Sequence, residues 1–295
     1  MTTMSPQNRT IVRAGAKLTV LRYAFRALER VAPAAGAGWA ARLWCTLPNT
    51  GGRRRDDRPE PGERSSLTLP GGRVVAVESW GFGPPVYLMH GWGGWRGQLG
   101  GFVRPLTDAG RRVVAVDAPS HGESGPGRLG RGRATGVEFV EALTAAAGKH
   151  GKPAAVIAHS LGSAAAAVAV ADGLPAARLA LIAPSTNLSE GLALFQRTMG
   201  FGQRVGTRMV ARLERLAGRP LADFDVTDLS RRTGAELPPT LVVHDRRDKE
   251  VPYDDGAALA AAWPEAELAS TDGLGHQRIL RDPAVISLVV DYVTR

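Results

Sequence analysis

From about residue 65 onward the chain alternates short, nearly unbroken apolar runs with longer stretches in which apolar residues recur every three or four positions. The short runs are Val74–Val77, Val86–Met89, Val113–Val116, Ala154–Ala158, Leu179–Ala183 and Leu241–Val243. Runs this continuous predict strands buried on both faces. Between them Arg96–Ala109, Ala134–Lys149, Leu161–Asp172, Asp254–Ala262 and Pro283–Val293 carry the helical period. Strand and helix in alternation predict a mostly parallel α/β sheet with helices on both faces. In such a sheet the functional groups sit in loops at the carboxyl ends of the strands.

Two stretches break the rhythm. Ser185 to Leu237 holds no strand pattern, only helix-compatible pieces such as Phe195–Met199 and Val205–Leu216. So long an interval between two strands predicts an inserted helical cap. Near the start, Leu18, Leu21, Phe25, Leu28 and Ala32 share one helical face opposite Arg22, Arg26, Glu29 and Arg30, and Pro33 ends the pattern. From Pro48 to Gly62 glycine, proline and charge mix as in an exposed linker. The expected division is 1–62 basic helical extension and linker, 63–184 first part of the core, 185–237 helical cap, and 238–295 second part of the core.

Composition narrows the picture. A chain of 295 residues that is 44% hydrophobic suits one large domain with an appendage. Its net charge of +9 is uneven, since residues 1–64 carry 12 Lys/Arg against 5 acids. The near balance elsewhere argues against nucleic acid as a partner. For the basic helix three readings stay open: docking on its own domain, contact with a partner subunit, or peripheral attachment to an anionic membrane. Arg13, Lys17, Arg22 and Arg26 interrupt every apolar run that a signal segment or membrane span would need. The single cysteine, Cys45, excludes an intramolecular disulfide and fits a cytoplasmic setting. No two histidines have metal-ligand spacing, so no zinc or iron site is expected.

The segment Ala154–Ala171, AAVIAHSLGSAAAAVAVA, turns from buried strand to Ala-rich helix within two residues, and Ser160 sits at the turn. A nucleophile elbow requires that context, with small residues two before and two after the serine, here Ala158 and Gly162. The helix N-terminus then aims backbone N–H groups at charge developing near Ser160.

With these motifs the region from residue 65 to the end resembles the alpha/beta-hydrolase family. That resemblance implies an eight-stranded, mostly parallel sheet. His90, Gly91 and Trp92 match the family's oxyanion-loop motif, which implies oxyanion donors at the Trp92 and Leu161 amides. Asp117 to Ser124, DAPSHGES, matches a scaffolding motif in which Ser120 replaces the usual glycine. His244 to Pro252, HDRRDKEVP, matches the acid loop and implies Asp248 as the acid; Asp245 stands where glycine is usual, and aspartate tolerates the left-handed backbone such a turn would need. His276, in a glycine-flanked loop before the last helix, is implied as the base. His159 and His244 are expected to be structural.

The resemblance implies a cofactor-free serine hydrolase acting on a small-molecule acyl substrate, with ester cleavage through an acyl-enzyme on Ser160. Peptidase, thioesterase, carbon–carbon bond hydrolase and acyltransferase activities share the same triad, and a non-catalytic ligand-binding member would share the fold.

Overall fold

The computed structural model describes residues 6–48 and 59–295, with side chains described from residue 17. Most of the anticipated linker therefore lies outside the described residues.

The chain opens with helices α1 (Pro6–Val31) and α2 (Pro33–Trp44). Pro33 ends the first helix, as its missing N–H requires, but then occupies the first position of the second, where that N–H is not needed. Strands β1 (Glu63–Leu69), β2 (Arg73–Trp80) and β3 (Pro85–Met89) follow, then a 3-10 turn at Arg96–Phe102, α3 (Val103–Asp108) and β4 (Arg112–Val116). Next come α4 (Gly136–His150), β5 (Ala155–His159), α5 (Leu161–Ala171) and β6 (Leu179–Ile182). Helices α6 (Leu188–Met199), α7 (Gln203–Ala217) and α8 (Leu229–Thr233) precede β7 (Thr240–Asp245). The chain closes with α9 (Tyr253–Ala262), β8 (Ala266–Thr271), α10 (Gly275–Arg278) and α11 (Pro283–Thr294).

All eight strands form one sheet in the order β1-β2-β4-β3-β5-β6-β7-β8. The β1-β2 and β2-β4 pairs are antiparallel and every other pair is parallel. Because strand side chains alternate, Val86 and Leu88, Val113 and Ala115, Ala155 and Ile157, and Leu241 and Val243 share one face, packed in a single cluster with Phe102, Leu106, Val289 and Val293 from the 3-10 turn, α3 and α11. Helices α4 and α5 contact the strands from β3 to β5, whose remaining side chains are equally buried. This two-sided burial is why the central strands are continuous apolar runs. The edge strands β1 and β8 escaped the sequence pattern because half or more of their positions face water, as ERSSLTL and AELAST require.

Two compact units emerge. One gathers residues 1–45 and 188–221; the other holds 46–187 and 222–295, including the whole sheet. The first unit contains α1, α2, α6 and α7, so segments separated on composition in the sequence pack together. Phe25 is fully buried, stacked on Trp39 with ring centroids 4.6 Å apart and 5.1 Å from Phe201. Gly36 lets α2 approach α7 closely, since a Cβ there would lie 2.8 Å from Val205 Cγ2. Glu29, expected on the wet face of α1, is half-buried instead. Its carboxylate accepts the N–H groups of Gly202, Arg204 and Val205 at 2.8–3.0 Å and so caps the N-terminus of α7.

Candidate active site

The sheet unit brings four loops together around Ser160. At the end of β5 the chain reverses into α5 through Ser160 itself, whose φ of 53° and ψ of −123° lie in a region that L-residues avoid. The turn is held by the Ser160 N–H donating to Ile182 O at 3.0 Å and by Ser163 N–H donating to Ser160 O at 3.0 Å. Its tightness depends on missing side chains. A Cβ on Gly162 would lie 2.3 Å from His90 O, and one on Gly91 would lie 2.8 Å from Ser160 Cβ. The loop after β3 therefore runs directly against the elbow, which brings the Trp92 backbone to the same end of the sheet as Leu161. Among the described residues neither the Trp92 nor the Leu161 amide makes a hydrogen bond.

Histidines fix that loop. His121 Nε2 accepts the Gly93 N–H at 3.1 Å while its Nδ1 lies 2.9 Å from Pro119 O, which requires the Nδ1–H tautomer. By the same logic His90 donates from Nδ1 to Gly91 O at 2.7 Å and accepts the Ala118 N–H at Nε2. Ser120, at φ 65°, adopts the left-handed backbone of the glycine it replaces, and its Oγ compensates by accepting the Gly127 N–H at 2.8 Å.

The structure brings Asp248 and His276 together. His276 Nδ1 lies 2.7 Å from Asp248 Oδ2, both side chains almost wholly buried. Asp248 Oδ1 accepts the Glu250 and Val251 N–H groups at 2.8 and 3.0 Å, and His244 Nε2 stands 3.4 Å from Oδ2. Burial alone would raise the Asp248 pKa, but these donors outweigh it and hold the carboxyl well below the usual carboxylate range. It is therefore ionised at neutral pH. On the other side of the ring, His276 Nε2 lies 4.0 Å from Glu250 Oε2.

His159, the residue before Ser160, joins the elbow to the His276 segment. His159 donates from Nε2 to the His276 carbonyl at 3.0 Å, with ring centroids 4.6 Å apart. Burial, then the adjacent His276, pushes the His159 pKa down to about 3, so it is neutral. Among the described residues Ser160 Oγ makes no hydrogen bond with His276 Nε2. Such contacts often tighten only when substrate is bound.

One expectation is corrected. Asp245 does not occupy a left-handed turn; it ends β7 with ordinary backbone and is completely buried. Its Oδ1 accepts the Arg247 and Gly273 N–H groups at 2.9 and 3.2 Å, and its Oδ2 accepts Thr271 Oγ1–H and Leu274 N–H at 2.7 and 2.8 Å. One carboxylate thus joins the acid loop to the loop that carries His276. Burial raises its pKa, but those hydrogen bonds pull it down to about 2. The sequence carries no signal for this role, because three of the four donors come from the distant segment Thr271–Leu274.

Among the described residues no group of three or more His, Cys, Asp or Glu side chains is placed to hold a metal ion.

An eight-stranded sheet with an elbow serine after β5, an acid loop after β7 and a histidine before the last helix defines an alpha/beta hydrolase. Residues 86–287 match the description "Alpha/beta hydrolase family", and the chain belongs to that family. A thermophilic esterase from Thermogutta terrifontis is similar in structure at 21% identity and a TM-score of 0.57, over 79% of this chain and 98% of that one. A hydrolase from Pseudomonas aeruginosa PA01 gives 18% identity and a TM-score of 0.59 over the same shares. A pimeloyl-[acyl-carrier protein] methyl ester esterase from Methylococcus capsulatus is 50% identical over 48 residues, which are 16% of this chain and 18% of that protein. The match thus spans less than a fifth of the relative's length.

Proposed function

We propose that the chain is a serine hydrolase that cleaves carboxylic esters through an acyl-enzyme on Ser160. The observation that carries this reading is the strained Ser160 elbow on the sheet that also holds a 2.7 Å, buried Asp248–His276 pair. His276 Nε2 takes the Ser160 proton as Oγ attacks the substrate carbonyl, while the Nδ1–H to Asp248 fixes the tautomer and offsets the imidazolium charge. The Trp92 and Leu161 amides receive the oxyanion, each worth on the order of 100-fold or more in rate. Protonated His276 then gives its proton to the leaving alkoxide, the alcohol departs, and water enters by the same route to release the acid.

Esters are favoured over amides because esterases recur among the similar proteins. The test is a panel of p-nitrophenyl acyl esters and matched amides, with fluorophosphonate labelling, on wild type and Ser160→Ala. Labelling confined to Ser160 and ester turnover that falls roughly ten-thousandfold or more in the variant are expected. Absence of both labelling and turnover in folded wild-type protein overturns the assignment, and amide turnover that exceeds ester turnover overturns the substrate class.

A further inference from the structure

The helical unit carries the whole of the chain's net positive charge. Residues 1–45 and 188–221 together hold 13 Lys/Arg against 3 acids, and the remaining chain holds 24 against 25. Lys17, Arg22, Arg26 and Arg30 on α1, and Arg204, Arg208, Arg212 and Arg215 on α7, are exposed. Among the described residues none of the four α1 cations pairs with a carboxylate. The single acid of α1, Glu29, is turned inward to cap α7.

The same helix has two apolar faces. Leu21, Phe25 and Leu28 face the interior of the unit. Opposite them Val20, Tyr23, Ala27 and Val31, spaced by three and four residues, form a second stripe in which Val20, Tyr23 and Val31 are 69%, 67% and 80% exposed. The stripe runs about 17 Å along the helix. Arg26 and Arg30 flank one edge, with the Arg26 guanidinium 5.9 Å from the Tyr23 ring centre, and Lys17 stands at the other. Leu194 on α6, which packs against α1, is 57% exposed as well.

We propose that this outer face of α1 seats on an anionic lipid bilayer. Val20, Tyr23 and Val31 would enter the boundary between headgroups and acyl chains, while the arginine stems lie along the apolar layer and their guanidinium groups reach lipid phosphates. A second copy of the chain is a poor occupant, because pairing this face with itself would oppose two strongly basic surfaces. No helix among the described residues is long and apolar enough to cross a membrane, so the contact is peripheral. The burial of Phe25 makes substitution, not truncation of the arm, the proper test, and the outcome is independent of the chemistry assigned to Ser160.

The experiment is co-sedimentation of the full chain with vesicles of phosphatidylcholine alone and of phosphatidylcholine mixed with phosphatidylglycerol, at about 0.1 M salt where screening acts beyond about 10 Å. Binding to the mixed vesicles only is expected. Arg26→Glu with Arg30→Glu should lower the partition coefficient about tenfold or more, and Val20→Ser with Tyr23→Ser should lower it several-fold. Both pairs should keep the wild-type melting temperature and labelling by fluorophosphonate. If the chain does not bind the mixed vesicles, the proposal fails. It also fails if serine substitutions in the stripe leave binding intact while charge reversal abolishes it, a result that would indicate an acidic protein as the partner. Should either pair alter melting, Val31→Ser alone supplies the stripe test.

Discussion

Asp245 shows how a single carboxylate can govern a site it does not enter. Four donors converge on it from the acid loop and from the segment ahead of His276, so its loss would free two loops at once. Asp245→Asn keeps the size but turns an amide N–H toward at least one of those donors. A misplacement on the order of 1 Å at a reacting group costs about 100-fold. The expected outcome is a kcat lower by about 10- to 100-fold with KM little changed, measured by steady-state ester hydrolysis; an unchanged kcat with a raised KM would assign Asp245 to binding instead. The pKa of about 2 also has a consequence for stability. A carboxyl depressed on folding stabilises above its unfolded pKa and loses that contribution as pH falls through the folded one. Asp245 therefore stabilises on the order of 2 kcal/mol above about pH 4, lost towards pH 2.

His159 acts in the same acidic direction for the opposite reason, being a base kept neutral. Its folded pKa of about 3 lies below the ordinary histidine value of 6.5, so between those limits the unfolded chain binds the extra proton and stability rises with pH. This contributes at most about 1.4 kcal/mol per pH unit. His159→Gln retains a donor for the His276 carbonyl but has no titration. Urea unfolding should show the variant losing less stability than wild type from about pH 6 to pH 4, and equal slopes would rule the mechanism out. At this scale the turn at Ser160 and the contact between Asp248 and His276 were legible, because both lie in motifs that the chain shares with its family. Asp245 and Gly91 were not, since their importance lies in what approaches them from distant parts of the chain.

At the scale of elements, the sequence reads best where burial is two-sided. Central strands and the α5 pattern follow from the run of apolar positions, whereas β1 and β8 are half wet and blend with loops. Helix α2 was hidden because Pro33 is both a stop and a start, and because PAAGAGWAARLW is chosen for close approach more than for period. Glu29 escaped for a related reason: a polar residue on a basic face reads as solvated until α7 is placed above it. Its carboxylate supplies the cap that Gly202 lacks. Glu29→Ala should cost about 1–2 kcal/mol in chemical denaturation. Hydrogen exchange would localise the loss to the amides of Gly202, Arg204 and Val205, and unchanged protection there would remove the capping role.

Across the whole molecule the decisive feature is the partition of charge. The sequence shows an excess near the N-terminus, but only the gathering of residues 1–45 with 188–221 reveals that one unit holds a large surplus and the other none. A compact unit with 13 cations against 3 acids repels itself. Added salt should therefore stabilise it in the absence of lipid, and most of the gain should appear below about 0.1 M, where the screening length falls to about 10 Å. Exchange of α1 and α7 amides should slow as salt rises from low ionic strength, while β3 and β5 amides in the balanced unit change little. The same salt should weaken attachment to anionic vesicles, because both effects arise from one set of arginines. Arg26→Glu with Arg30→Glu ought then to flatten both dependences together. If the exchange response persists undiminished in that variant, self-repulsion resides elsewhere in the unit and the α1 face is not its principal source.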